Sequence, residues 1–83
     1  MKLVITTRAE KDLAKLERET RQEVYKALLR YTEGQIVDAL KLKGMDNHFR
    51  IRVGDYRIII KRASENITFV YALRVLHRRE AYR

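Results

Sequence analysis

A change of apolar period near residue 48 constrains this chain more than any other feature. Before it, apolar residues recur at helical spacing: Ala9, Leu13 and Leu16 at i, i+4 and i+7, then Val24, Ala27, Leu28 and Tyr31 at i, i+3, i+4 and i+7. After it they alternate. Phe49, Ile51 and Val53 are interleaved with Arg50 and Arg52, and Tyr56, Ile58 and Ile60 with Arg57, Ile59 and Lys61. A stripe of period 3.6 and a face of period 2 have to be buried against each other, which means helices laid on a sheet.

Local signals fill in the order. Residues 2–6 read as a short strand. Thr7-Arg8-Ala9-Glu10 and Thr20-Arg21-Gln22-Glu23 both have the form of a capping box, in which the Thr accepts from the N–H three residues on and the Glu reaches back. Gly34 suits the end of the second helix. Gly54-Asp55 is a two-residue hairpin turn, and residues 63–66 form a second turn. Residues 67–76 are apolar on both faces, the pattern of a central strand. The sequence therefore predicts one domain over residues 1–83. It is α+β, a helical hairpin packed on one face of a four-stranded, mainly antiparallel sheet in the order β-α-α-β-β-β. Eighty-three residues leave no room for a second core.

The hairpin turn fixes a register, and the register sorts the charges. Val53 is expected opposite Tyr56, Arg52 opposite Arg57, Ile51 opposite Ile58 and Arg50 opposite Ile59. A four-residue second turn would then set Arg62 opposite Ile67, Ile60 opposite Phe69, Ile58 opposite Tyr71 and Arg57 opposite Ala72. Phe69, Tyr71 and Leu73 would join the strand residues Phe49, Ile51, Val53, Tyr56, Ile58 and Ile60 beneath the helices. Tyr25, Tyr31, Tyr56 and Tyr71 all read as packing residues. The other face would carry Arg50, Arg52, Arg57, Lys61, Thr68 and Ala72, with Arg74 one step beyond. Arg52 and Arg57 in direct opposition repel. Such a face is either solvated surface or a seat for an anion, because planar guanidinium forks match phosphate oxygens. A small Ala72 beside Arg57 would leave a shallow floor for a backbone phosphate.

The formal charge of +8 is unevenly placed. Residues 1–40 hold eight bases and seven acids, whereas residues 41–83 hold eleven bases and four acids. A basic half of this kind points to a polyanion, either nucleic acid or an acidic protein. With no cysteine, the chain has no disulfide, no thiol nucleophile and no thiolate metal site. No apolar run is long enough to span a membrane, and the opening strand leaves no signal peptide, so a cytoplasmic protein is expected. The C-terminal segment adds Arg74, His77, Arg78, Arg79 and Arg83 to the basic set. Tyr82 reads as a frayed terminal aromatic, a stacking surface for a base, or an acid/base hydroxyl. His77 either titrates near neutrality or simply ends its strand, and His48 reads as a polar strand start.

Leu42-Lys43-Gly44, the run from Phe49 through Gly54-Asp55-Tyr56-Arg57 to Ile58, and the ending His77-Arg78-Arg79-Glu80-Ala81-Tyr82 resemble the RelE/ParE superfamily of type II toxins. The resemblance covers the whole chain and implies a RelE-like fold. It implies one of two activities. RelE-like members are metal-independent endoribonucleases that cut mRNA in the ribosomal A site; ParE-like members inhibit DNA gyrase and are not nucleases. Both are silenced by an antitoxin, here expected to be acidic. By position in the family, Arg57, Arg78 and Tyr82 would be catalytic. Arg50, Arg52, Lys61, Arg74, His77, Arg79 and Arg83 would bind RNA. No metal and no cofactor are implied. The five family positions Arg50, Arg52, Arg57, Arg78 and Tyr82 are all filled, which favours the ribosome-dependent mRNA endonuclease over the gyrase inhibitor. Arginine stays protonated, so the proton for the leaving oxygen would come from His77 or water.

Overall fold

The computed structural model describes residues 1–81. Strand β1 (Lys2–Ile5) leads into helix α1 (Thr7–Ala14), and the chain turns at Leu16 into α2 (Arg18–Thr32). Strands β2 (Ala39–Lys41), β3 (His48–Val53), β4 (Tyr56–Ser64) and β5 (Thr68–His77) follow, then a single turn of helix, α3 (Arg78–Ala81). The sheet runs β1-β5-β4-β3-β2, with β1 and β5 parallel and every other pair antiparallel. This is the expected α+β architecture with five strands in place of four. The added strand, β2, sets Ala39, Leu40 and Lys41 against Ile51, Arg50 and Phe49. All three of its residues are exposed, so it has no buried face that an apolar period could announce.

The core lies between the helices and one face of the sheet. Ala9, Leu13, Val24 and Leu28 come from the helices; Ile51, Ile58, Ile60, Val70, Ala72 and Val75 come from the strands. The end of α2 closes as the glycine predicts. Gly34 has φ +76°, its N–H reaches Tyr31 O at 3.1 Å, and the Gln35 N–H reaches Arg30 O at 2.9 Å, the double closure of a Schellman motif. Both helix starts differ from the capping-box reading. The cap of α1 is Thr6, whose hydroxyl accepts from the Ala9 N–H at 3.2 Å. Thr6 wins over Thr7 because it also ends the strand: its N–H donates to Ala72 O at 3.1 Å, and its hydroxyl lies 2.9 Å from that same oxygen. The cap of α2 falls three residues before the expected Thr20: it is Glu17, with no side-chain hydrogen bond there. Leu16 packs against the core and places the turn earlier.

The β3–β4 hairpin has the predicted register throughout, from Val53↔Tyr56 to Arg50↔Ile59. The β4–β5 pairing does not. β4 runs on to Ser64, which faces Thr68 across a turn at residues 65–67 closed by Glu65 N–H to Ile67 O at 3.2 Å. Arg62 therefore meets Val70 instead of Ile67, and Ile60 meets Ala72 instead of Phe69. A displacement by an odd number of residues exchanges the faces of a strand. Val70 and Ala72 are buried in the core, while Phe69 and Tyr71 turn to the face away from the helices. Ile59 then pairs with Arg74, so Leu73 is an extra residue, a bulge. The bulge has a clear effect. Unbroken alternation after Val70 and Ala72 would drive Arg74 into the core; the extra residue sends Val75 in instead.

β1 is too short to cover β5. Its ladder ends at Ile5↔Ala72, and Asp12 takes over the edge beyond. The Asp12 carboxylate, 8% exposed, accepts the Val75 N–H at 2.9 Å and the Arg74 Nε–H at 2.9 Å, with Arg74 Nη2 at 3.3 Å. Burial pushes this carboxyl upward, but the bonds from Arg74 and Val75 and the charges of Arg74 and Arg8 outweigh it, leaving it below the ordinary carboxylate value. Asp12→Ala, which strands a buried strand N–H and a half-buried guanidinium, is expected to lower unfolding free energy by about 2 kcal/mol in urea titration. The native carboxyl releases its proton more readily than the unfolded one. Its contribution is therefore complete above the unfolded value of about 4, and fades as pH falls through that value and then through the depressed native one. The gap between wild type and Asp12→Asn should close over that acid range.

Candidate functional site

The face of the sheet turned away from the helices carries the cations. Alternation with buried Ile51, Ile58 and Ile60 sets Arg50, Arg52, Arg57 and Lys61 on it. Arg52 and Lys61 are exposed and Arg50 is half-buried. Arg57 is 6% exposed. Its Nη1 donates to Gly54 O and to Tyr56 O, each at 3.0 Å, so the side chain folds back over the turn that precedes it. That holds the guanidinium in one orientation beside the hairpin. Its neighbours across the ladder are Arg52 and Leu76, not the Ala72 of the expected register. The shallow floor beside Arg57 is therefore absent at that position: Ala72 is in the core, and a leucine stands in its place.

Arg78 approaches the same turn from the other side. The last strand delivers it there, since Tyr56 pairs with His77 and the next residue starts α3. The Arg78 N–H donates to Asp55 O at 2.7 Å. Its Nε lies 4.0 Å from the Asp55 carboxylate, with both side chains more than 60% exposed, an interaction of little strength in water. Arg57 and Arg78, twenty-one positions apart, thus both attach to Gly54-Asp55.

Other predicted site residues fall elsewhere. Arg74 is bound to Asp12 at the α1 edge, an ion pair that raises its already high pKa through the hydrogen bond, against a smaller opposing effect of burial. His77 pairs with Tyr56, whose ring packs on the core, and meets that ring edge-on at 5.4 Å between centroids. It also accepts the Arg79 N–H at 3.2 Å. That puts His77 on the helix side of the sheet, across from the arginines. Arg79 is exposed on α3. Tyr82 and Arg83 lie outside the described residues. Two of the tyrosines read as packing are not in the core: Tyr25 is 38% exposed on α2, and Tyr71 stands on the open face.

Sequence reasoning missed two features. Phe69 and Tyr71 form a stacked pair on the open face, hidden by the register error. Arg8, Lys11 and Lys15 line a concavity of about 470 Å³ with the Asp12–Arg74 pair, a stripe that their spacing on α1 could have revealed. Among the described residues, no group of three or more His, Asp or Glu side chains could hold a metal.

Chemically, the turn presents two guanidinium groups. Guanidinium groups stabilise negative charge developing on phosphate oxygens but do not transfer protons near neutrality.

The family model that matches the chain describes the ParE toxin of type II toxin–antitoxin system, parDE, over residues 3–82. Over 46 residues the chain is 48% identical to Toxin RelE3 of Methanocaldococcus jannaschii. That stretch is 55% of this chain and 49% of the relative, so the match spans about half the length of that protein. Among solved structures, the RelB–RelE antitoxin–toxin complex from Methanococcus jannaschii aligns with TM-score 0.74 and 28% identity, covering 95% of this chain and 94% of that one. The toxin–antitoxin complex RelBE2 from Mycobacterium tuberculosis aligns with TM-score 0.73 and 28% identity, covering 92% and 95%.

The opposition of Arg52 and Arg57 is a strain that function would have to justify. Arg52→Thr, which puts a good strand former at an exposed position, should raise the urea midpoint, by roughly 0.2–1 kcal/mol in free energy. An unchanged or lower midpoint would show that the two guanidinium groups do not burden each other.

Proposed function

The chain belongs to the ParE toxin family of type II toxin–antitoxin systems, within the RelE/ParE superfamily, and from that premise we propose that it is a ribosome-dependent mRNA endonuclease of the RelE type. The observation that carries this reading is the convergence of Arg57 and Arg78 on the Gly54-Asp55 turn. The likeness to Toxin RelE3 and to toxins solved with RelB-type antitoxins supports the same branch.

Cleavage without a metal needs three things: a 2′-oxygen that gives up its proton, charge stabilisation at phosphorus, and a proton for the departing 5′-oxygen. Arg57, fixed by two carbonyls, and the exposed Arg78 supply the second. The 2′-oxygen forms its bond to phosphorus as the bond to the 5′-oxygen breaks, and the two guanidinium groups hold the non-bridging oxygens throughout. Arg50, Arg52 and Lys61 bind the mRNA backbone along the open face, and Arg79 and Arg83 add positive charge for the RNA. Tyr82 stacks on a base or takes the 2′ proton. The His77 ring lies on the helix side, which makes water the better proton source for the leaving group. The protein acts in the cytoplasm, where mRNA and ribosomes are, and an acidic antitoxin neutralises the same basic surface.

A second reading has one specific observation in its favour: the matching family model is that of the ParE toxin. In that case the chain inhibits DNA gyrase and cuts no RNA.

Mapping 5′ ends of transcripts in cells expressing the protein separates the two. Cuts within the A-site codon are expected, and Arg78→Ala, at an exposed position, should reduce their rate by roughly 100- to 1,000-fold while the protein stays folded. Intact mRNA together with trapped gyrase–DNA cleavage complexes would overturn the nuclease reading.

A further inference from the structure

The open face has a second end. Phe69 and Tyr71 project from β5, two positions apart, with ring centroids 6.1 Å apart and planes inclined by 29°. Both are half-buried, and neither packs against the core beneath the helices. Their neighbours are small or cationic. Tyr71 lies between Lys61 on β4 and Val4 on β1; Phe69 lies between Ala63 and Lys2. Lys2 and Lys61 are exposed, and among the described residues neither has a carboxylate at ion-pair distance.

Two flat, nearly parallel rings flanked by ammonium groups fit a repeating chemistry of planar base and phosphate. Nucleobases stack on aromatic rings regardless of sequence, while the flanking cations take the backbone. An apolar peptide would find little depth here, because the pair stands on an open sheet and not in a groove. Along β4, Lys61 lies four residues from Arg57, about 13 Å at strand rise. The aromatic pair is therefore on the same face as the arginine turn and one short reach of single strand away from it.

We infer that Phe69 and Tyr71 form a base-stacking platform that holds single-stranded RNA, at nucleotides flanking the one bound at the Arg57–Arg78 turn. This rests on the reading of RNA as the substrate and adds a binding site to it. The platform would set how far the RNA is drawn across the sheet, so its loss should weaken binding without altering the charge of the face.

The chain has no tryptophan, so Tyr71→Trp gives a single fluorescent reporter. Single-stranded RNA should quench its emission, whereas an abasic ribose–phosphate strand of equal length should not. Phe69→Leu/Tyr71→Leu, which keeps apolar bulk but removes both rings, should bind RNA roughly 5- to 100-fold more weakly and bind the abasic strand as the wild type does. Tyr71→Phe, which retains a ring, should keep wild-type affinity; circular dichroism checks that every variant is folded. RNA binding by the leucine variant at wild-type strength, or binding to Tyr71→Trp without quenching, would overturn the platform while leaving the RNA reading intact. A wild type that binds no RNA, alone or on the ribosome, would overturn both. Loss of affinity for an acidic antitoxin peptide, with RNA affinity unchanged, would assign the rings to the antitoxin and also overturn the platform.

Discussion

The arrangement of this fold depends on one exposed strand edge and the carboxylate that covers it. β1 pairs with β5 only as far as Ala72, and beyond that point the strand would face solvent with its N–H groups unpaired. Thr6 closes the end of the parallel ladder, and Asp12, one turn and a half further along α1, accepts the Val75 N–H. A buried carboxylate needs a cation as well as a donor, and Arg74 provides it. The same contact therefore fixes α1 on the sheet edge, accommodates the Leu73 bulge and keeps an arginine out of the core. Moving any one of these would require rearranging the other two.

That chain of dependence explains what could be read from the sequence and what could not. The helical stripes, the Gly34 stop and the whole β3–β4 register followed from local patterns, because Gly54-Asp55 leaves the hairpin no alternative. β5 carries apolar residues at nearly every position, so alternation does not say which face goes inward. Its register is decided by contacts remote in sequence, with β1 and with Asp12, and no local signal reports them. β2 escaped for the opposite reason: it buries nothing and exists only through its ladder to β3. For the candidate site, the residues on the well-specified hairpin, Arg50, Arg52, Arg57 and Lys61, could be placed from the sequence. Arg74 and His77, which lie beyond the bulge, could not. Arg74 is committed to Asp12, and His77 faces the helix side with Tyr56.

The β4–β5 register also sets the character of the open face. With Phe69 and Tyr71 in the core, that face would be a plain field of positive charge, suited to any polyanion. With them outside, it is graded. Arginines gather at the hairpin end, where Arg57 is held by carbonyls and Arg78 is tethered through its backbone. Aromatic rings flanked by lysines occupy the far end. Charge alone attracts without discrimination, whereas rings distinguish a strand with accessible bases from one without.

Regulation of such a surface is constrained by the chemistry of its charges. Guanidinium groups keep their protons across the physiological range, and the one histidine near the site points to the other side of the sheet. Among the described residues, Asp55 lies 4.0 Å from Arg78 in solvent, and Asp12 is occupied with Arg74. A partner whose negative charges meet the same cations as the phosphates do is a direct means of control over the proposed activity. Under the proposed activity, an antitoxin whose negative charges met these cations would exclude phosphates from them on electrostatic grounds.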